Sequence, residues 1–175
     1  MKKIGVALGM LVGVGLLLSL NSCKSSSYQK LAVKNFDSEK YLGDWYEIAR
    51  FDFKFEKDMS KVSANYSKRE DGKIKVLNKG FNDKEQEWKE KEGKAKFVVD
   101  EKTGALEVSF FGPFYSEYNV VMHEDYQTAL IFGESTKYMW ILSRTKTISP
   151  ETKQKYLDFA KKNGFPIENL VWTKQ

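Results

Sequence analysis

Residue types that most often perform catalysis or bind metal are scarce in this chain of 175 residues. The sequence contains one cysteine, Cys23, and one histidine, His123. A zinc site needs three or four ligands, usually several of them cysteine or histidine, so we expect no metal site and no cofactor. A cysteine–histidine nucleophile pair is possible by composition alone, but no third residue supports it.

Sequence motifs of the common enzyme classes are also missing. The chain has no Gly-x-Ser-x-Gly, no His-Glu-x-x-His and no glycine-rich phosphate loop. We therefore expect no catalytic residues, and an enzyme remains the first alternative to a binding protein. His123 as a haem ligand is a second alternative, although a lone histidine at a turn is more often a surface residue.

Cys23 stands just after the most apolar segment of the chain. Two lysines precede a charge-free run at residues 4–20, an order typical of an export signal. The Leu-Asn-Ser-Cys sequence at residues 20–23 resembles the lipobox of bacterial lipoproteins, whose cysteine is acylated and becomes the new N-terminus. We therefore expect a signal peptide at residues 1–22 and lipidation of Cys23.

Acylation at this position predicts a protein held at a membrane by its acyl chains, with residues 23–33 as lipidated tether and 34–175 as the folded domain. Lys24 follows the cysteine, where an aspartate typically signals inner-membrane retention in enteric-type bacteria. The expected location is therefore the bacterial cell envelope, at the outer membrane. The alternative is an uncleaved anchor helix with an incidental cysteine.

The body of the chain has the pattern of short antiparallel strands. Turn sequences recur about every ten residues from 43 to 145, and apolar residues alternate with polar ones between them. The chain holds 12 Phe, 9 Tyr and 4 Trp, which are residues that favour strands. These features predict an all-β meander, folded as a sandwich or a closed barrel.

One helix interrupts this pattern near the end of the chain. Ser149 is a suitable N-cap residue and Pro150 suits the first helical position. The helix is expected to end at Asn163-Gly164, and a short final strand at about residues 169–172 returns the chain to the sheet.

Three segments, in order along the chain, resemble the signatures of the lipocalin family. Residues 41–50 contain the Gly-x-Trp of the first, residues 125–126 the Asp-Tyr of the second, and residues 142–145 the arginine of the third. Glu124 departs from the usual threonine of the second. The matching residues are Gly43, Trp45, Asp125, Tyr126 and Arg144.

The similarity covers about residues 34–173 and is greatest to the branch of bacterial outer-membrane lipocalins and apolipoprotein D. It implies an eight-stranded antiparallel up-and-down barrel with a C-terminal α-helix and a short final strand. Counting strands in that order brings the three signatures to one end of the barrel. There the resemblance implies that Arg144 stacks on Trp45, as a structural closed end.

The interior of such a barrel is predicted from side-chain alternation to be mostly apolar. The resemblance implies fatty acids or lysophospholipids as ligands, in lipid storage, transport or envelope maintenance. Each residue taken singly has plain core packing as its alternative. Ala95, Phe132 and Leu142 are expected to face inward, together with the predicted ligand-binding residues Val62, Ala64, Tyr66, Val76, Asn78, Phe97, Val108, Phe110, Leu130, Tyr138 and Trp140.

The loop at about residues 51–60 is expected to lie at the mouth, opposite the closed end. Its Phe51, Phe53, Phe55 and Met59 are interpreted as a lid over the barrel, with contact to lipid or membrane as the alternative. The sequence pI is about 9.0 with a net charge of +5, but acids and bases are interleaved, so we expect no nucleic-acid partner. The oligomeric state is open, a homodimer included.

Overall fold

The computed structural model describes residues 28–53 and 56–175. Within these residues nine strands form one sheet that closes on itself. The expected signal peptide, and Cys23 with it, lie outside the described residues. The strands are β1 (Gly43–Phe51), β2 (Met59–Lys68), β3 (Ile74–Asn82), β4 (Glu87–Phe97), β5 (Ala105–Phe111), β6 (Phe114–Glu124), β7 (Thr128–Phe132), β8 (Met139–Ser143) and β9 (Leu170–Trp172).

From β2 to β8, each strand pairs with the next one in sequence, always antiparallel. The barrel closes because β1 pairs with β2 on one edge and with β8 on the other. The ninth strand adds to β1. The predicted eight-stranded up-and-down barrel with a final strand is therefore confirmed.

The order of the strands gives the barrel two distinct ends. The end where β1 begins, here called the closed end, also carries the connections at residues 69–73, 98–104 and 125–127. The opposite, open end carries the β1–β2 loop, the tight turn at residues 112–113 and the two remaining connections.

The segment before β1 runs along the barrel wall and then crosses the closed end. Val33 donates to the carbonyl of Val120 over 2.9 Å and accepts from Gly104 over 2.9 Å. The short helix α1 (Ser38–Tyr41) follows, capped by Asp37. Phe36 and Tyr41 are buried against the barrel floor, and this segment therefore seals the closed end.

The second helix, α2 (Pro150–Lys162), lies on the outside of the barrel. It begins where predicted, because the Ser149 hydroxyl accepts a hydrogen bond from the Thr152 backbone N–H over 3.0 Å. Its buried Tyr156 hydroxyl bonds Thr128 of β7 over 2.8 Å. None of the helices in the described part of the chain is long and apolar enough to cross a membrane.

Candidate functional site

The barrel interior gathers most of the side chains predicted to face it. Asn78 pairs with Ala64 and so shares its face, Val62 lies two residues before Ala64, and Tyr138 stacks on Trp140 with ring centroids 6.5 Å apart. The other predicted residues that pack in one interior cluster are Tyr66, Val76, Ala95, Phe97, Val108, Phe110 and Leu142.

Leu130 is the exception among the predicted ligand-binding residues. It is fully buried in the cluster between the barrel wall and α2, as is Phe132, so neither lines the interior. All five residues of β7 are buried, because one face meets the interior and the other meets the helix. When both faces of a strand are apolar, the sequence does not show which residues face inward. The prediction assigned the wrong face of β7 to the interior. Ala129 and Ile131 are the inward residues of β7.

The interior is filled near the closed end and open above it. Trp45, Leu106 and Val120 of the interior cluster are at most 2 % exposed. Partial exposure of an inward-facing side chain requires a space that solvent can enter. Nearer the open end, partly exposed inward residues include Asn78, Val108, Phe110 and Trp140.

Three tyrosine hydroxyls meet inside the barrel. The Tyr118 hydroxyl lies 2.6 Å from that of Tyr41 and 2.8 Å from that of Tyr66. Burial raises the pKa of all three phenols well above the ordinary value, so they stay neutral donors and acceptors. Of the three, sequence reasoning found only Tyr66. It omitted Tyr118 of β6, and Tyr41 reaches the interior from α1 rather than from a strand.

A charged pair also faces the interior, and the sequence analysis missed it. A bulge in β1 between Glu47 and Ala49 resets the alternation, so that Glu47 pairs with Leu142 and Arg50 with Trp140. Arg50 Nη1 donates to Glu47 Oε1 over 2.8 Å. Burial raises the pKa of Glu47, while the Arg50 charge opposes that rise. Both side chains are at least 96 % buried, so the pair is held away from water.

Glu56 brings a second carboxyl to this pair from the β1–β2 loop. Its Oε2 lies 3.4 Å from Arg50 Nε and accepts from Trp140 Nε1 over 3.4 Å. Burial, and then the nearby charge of Glu47, raise the pKa of Glu56 to about 8. The Arg50 Nε itself has no hydrogen-bond partner among the described residues. The rim of the interior is therefore polar on one side.

The β1–β2 loop covers part of the open end. The Phe53 ring meets those of Trp140 and Tyr138 edge-on, at 5.7 and 6.0 Å. Phe51 instead stacks on Phe165 outside the barrel, at 6.2 Å. Of the four apolar residues singled out in this loop, Phe55 lies outside the described residues. Phe53 and Glu56 thus sit over the indole of Trp140.

Arg144 and Trp45 form the closed end as expected. The guanidinium carbon of Arg144 lies 3.8 Å from the centroid of the indole, and the indole N–H donates to the Tyr41 carbonyl over 2.8 Å. Gly43 has a φ of +95°, and a Cβ there would lie 3.4 Å from Arg144 Nη1. A glycine at this position therefore lets the strand begin beside the guanidinium.

The second signature forms the turn beside Arg144. Asp125 and Tyr126 have φ values of 43° and 56°, and the Tyr126 hydroxyl accepts from the Asp37 backbone N–H over 2.7 Å. Glu124, the departure from the family pattern, accepts from Thr152 Oγ1 over 2.7 Å and from Lys155 Nζ over 2.9 Å. These bonds tie the turn to α2, a structural use of the carboxylate.

His123 also belongs to this end. Its imidazole stacks on Tyr126 with ring centroids 4.1 Å apart, and burial lowers its pKa. It pairs with Ala129 deep in the barrel, below the open part of the interior. Among the residues that the structure describes, no group of three potential ligands from His, Cys, Asp and Glu could hold a metal ion.

Comparison with known proteins agrees with this geometry. The model of the lipocalin-like domain matches residues 36–175. The chain is 51% identical over 157 residues to the outer membrane lipoprotein Blc of Citrobacter freundii, covering 88% of this chain and 89% of that protein. It is 34% identical over 164 residues to apolipoprotein D of Mus musculus, covering 89% and 84% of the two chains.

Solved structures with the same architecture are more distant in sequence. Insecticyanin from the tobacco hornworm Manduca sexta superposes with a TM-score of 0.65 at 21% identity, covering 82% of this chain and 83% of that one. The siderocalin Ex-FABP superposes with a TM-score of 0.61 at 17% identity, covering 78% and 95%. These similarities concern the fold alone.

Proposed function

The chain belongs to the lipocalin family, and from this premise we propose that it is a lipid-anchored protein of the outer membrane that binds one fatty acid or lysophospholipid in its barrel. Membership of this family and the apolar interior both indicate that the barrel binds a hydrophobic ligand. The observation that carries the finer proposal is the partly exposed inward face formed by Val108 and Phe110 of β5 and Trp140 of β8.

The energetics of such a site suit an acyl chain. Each methylene removed from water contributes about 0.8 kcal/mol, so some fourteen methylenes contribute roughly 11 kcal/mol. Association costs about 4 kcal/mol or more. The remainder is at most about 7 kcal/mol, which corresponds to a Kd on the order of 10 μM.

Charged groups at the open end support a ligand with an anionic head. Lys91 pairs with Asn78 and so shares its face, and its ammonium lies 4.5 Å from the Phe111 ring at the rim. An ammonium at that position suits a carboxylate or a phosphate. A ligand inserted tail first would leave its head at this rim.

The anchor and the location follow from the N-terminus. Cys23 ends the apolar segment of residues 4–20, and two relatives at 50–51% identity bear the name outer membrane lipoprotein. Acyl chains on Cys23 would hold the barrel at the membrane, next to a source of lipid. Residues 1–22, 23–33 and 34–175 are then signal peptide, tether and binding domain. The functions proposed are lipid storage, transport or envelope maintenance.

Native mass spectrometry of the purified acylated protein, followed by lipid extraction, tests the ligand. We expect a single bound molecule with one acyl chain, and displacement of a fluorescent fatty acid by lysophospholipid. Recovery of a haem, or of another ligand without an acyl chain, would contradict the proposal. So would failure of both lipids to bind below about 100 μM, the weak side of micromolar affinity.

A further inference from the structure

The N-terminal segment joins the barrel at its open end. The Tyr28 ring packs on Phe132, the last residue of β7, and on Phe165, with centroids 5.5 and 5.1 Å apart. Phe165 in turn stacks on Phe51, the last residue of β1. Because β1 and β7 both end at the open end, Tyr28 lies at that end too. The chain then descends along the wall and reaches the closed end at Phe36.

The length of the tether limits where an anchor on Cys23 can lie. Cys23 precedes Tyr28 by five residues, and a fully extended chain spans at most about 3.3–3.6 Å per residue, or ~17 Å here. A nine-residue strand such as β1, tilted as in small barrels, spans roughly 23 Å along the axis. The acylated cysteine therefore reaches the open end of the barrel and falls short of the closed end.

The open end also carries the most exposed aromatic residues of the described chain. Phe111 and Phe114 flank the tight turn between β5 and β6 and are 54% and 78% exposed. Trp88, at the start of β4, is 51% exposed and packs on Phe81 with the Lys79 ammonium 5.2 Å from its ring. The Phe111 ring likewise has the Lys91 ammonium 4.5 Å away, so Phe114 is the most exposed of these side chains. Paired phenylalanines at a hairpin tip form an apolar projection that water solvates poorly.

The closed end offers no equivalent surface within reach of the anchor. Its exposed apolar residues are Val98 and Val99, which are 43% and 61% exposed after β4. They lie at the end of the barrel that the tether cannot reach. Among the described residues, the Phe111–Phe114 hairpin therefore brings the most exposed aromatic side chain, that of Phe114, to the end from which the anchor leaves.

We propose that the open end of the barrel faces the bilayer that holds the anchor, with Phe111 and Phe114 inserted among the lipid head groups. The proposal rests on acylation of Cys23, as put forward under the proposed function. In this orientation an acyl chain passes between bilayer and interior along the apolar hairpin, without crossing water. The lipid surface is thus a second binding partner, distinct from the single lipid held in the barrel.

Fluorescence quenching in vesicles tests the orientation with the acylated full-length protein. When Cys23 is acylated, the introduced cysteine of Phe114→Cys or Val99→Cys is the only free thiol, since the chain has one native cysteine. Each variant is labelled with bimane and reconstituted in phosphatidylethanolamine–phosphatidylglycerol vesicles containing a head-group-proximal nitroxide lipid. We expect at least three-fold stronger quenching at position 114 than at 99. Equal quenching, stronger quenching at 99, or none at either position would overturn the proposal.

A transfer assay links the hairpin to ligand exchange. The variant Phe114→Ser should take up a fluorescent fatty acid from vesicles at least five-fold more slowly than the wild type. Its affinity for the same fatty acid in detergent solution should be unchanged, because Phe114 is 78% exposed and lies outside the interior cluster. Val99→Ser, at a residue 61% exposed on the closed end, is the matched control and should transfer at the wild-type rate. An unchanged rate in the first variant would overturn the role of the hairpin.

Two further outcomes separate this proposal from its premise. A wild-type protein that takes up thiol label at Cys23 is not acylated, and both the anchor and the orientation would then be wrong. Rapid disulfide cross-linking of Phe114→Cys in detergent, without vesicles, would assign the hairpin to a second copy of the chain and overturn the membrane contact. If the wild type does not bind fatty acid, the proposed ligand is wrong, but the quenching pattern is still expected.

Discussion

The guanidinium of Arg144 is held against the indole of Trp45 by four backbone carbonyls rather than by any carboxylate. It donates to Tyr126, Asp44, Lys40 and Leu42 over 3.2, 2.7, 2.8 and 2.9 Å. One side chain thus ties the turn after β6, the start of β1 and the end of α1 to a single ring. The closed end is therefore a structural clamp, made where three separate segments of the chain meet.

Arg144→Ala is expected to lower the free energy of unfolding by about 1–3 kcal/mol, since stacking, stem packing and several hydrogen bonds are lost together. The affinity of the folded protein for fatty acid should barely change. Urea unfolding and a fluorescence titration measure the two quantities. Lys146→Ala is the control, because that ammonium lies 5.7 Å from the Tyr46 ring on the surface. A large affinity loss at unchanged stability would place Arg144 in the binding site instead.

Glu56 predicts a pH dependence of stability. Its pKa is about 8 in the folded protein against a reference of 4.5, so the folded chain keeps a proton that the unfolded chain has released between these values. The free energy of unfolding should therefore fall as pH rises from 5 to 8, by at most about 1.4 kcal/mol per pH unit for one proton. Glu47, whose pKa burial also raises, acts in the same direction.

Glu56→Gln should remove most of this fall, since the amide cannot titrate and its oxygen can still accept from Trp140. Urea unfolding at pH 5, 6, 7 and 8 compares the variant with the wild type. The exposed Glu101→Gln is the matched control and should keep the wild-type slope. Identical slopes for Glu56→Gln and the wild type would mean that Glu56 ionises normally in the folded protein.

Ala64 provides a direct test of the lipid cavity. The residue packs in the interior cluster opposite Trp45 and Asn78, so Ala64→Trp should fill the space and weaken fatty-acid binding tenfold or more, about 1.4 kcal/mol. Overpacking also costs about 1–3 kcal/mol of stability, and unfolding is therefore measured alongside.

The neighbouring Ser63 is the control for that substitution. It pairs with Tyr46 and faces an outer groove with Lys79 and Trp88, so Ser63→Trp adds the same ring on the opposite side of β2. Its affinity for fatty acid should match the wild type. Equal affinities for the two tryptophan variants would refute a ligand site on the inner face.

Cys23→Ala tests the anchor. Without the thiol, the chain should remain unprocessed or be released from the membrane fraction, as measured by mass and by fractionation. Ser22→Ala, at the adjacent position, keeps the thiol and should leave processing largely intact. A Cys23→Ala protein that fractionates with membranes at its mature mass would show that another segment holds it there.

The fold was accessible from sequence because local signals and the family signatures agreed. Turn spacing predicted the strands, Ser149 and Pro150 predicted the start of α2, and Gly43, Trp45 and Arg144 predicted the closed end. These features depend on short stretches of chain. Each could therefore be recognised without knowing what packs against it.

The interior was harder to predict because which side chains of a strand face inward depends on bulges and on what packs outside the barrel wall. The bulge in β1 turned Glu47 and Arg50 inward, although strict alternation allows only one of them there. Leu130 was misplaced because α2 buries the outer face of β7. Tyr41 entered from α1, an element whose docking depends on tertiary contacts.

The pairing of β1 also sets the time at which the barrel can form. The part of β1 nearer the open end pairs with β8 and β9. The side chain of Gln175 also donates to the carbonyls of Glu47 and Val62, which lie 128 and 113 residues away in sequence. Contacts of such separation are slow to form and close last. Because β1 is synthesised before β8 and β9, one of its edges stays unpaired until those strands have been made. Synthesis thus exposes an unpaired strand edge, which is prone to pairing with other chains until the barrel closes.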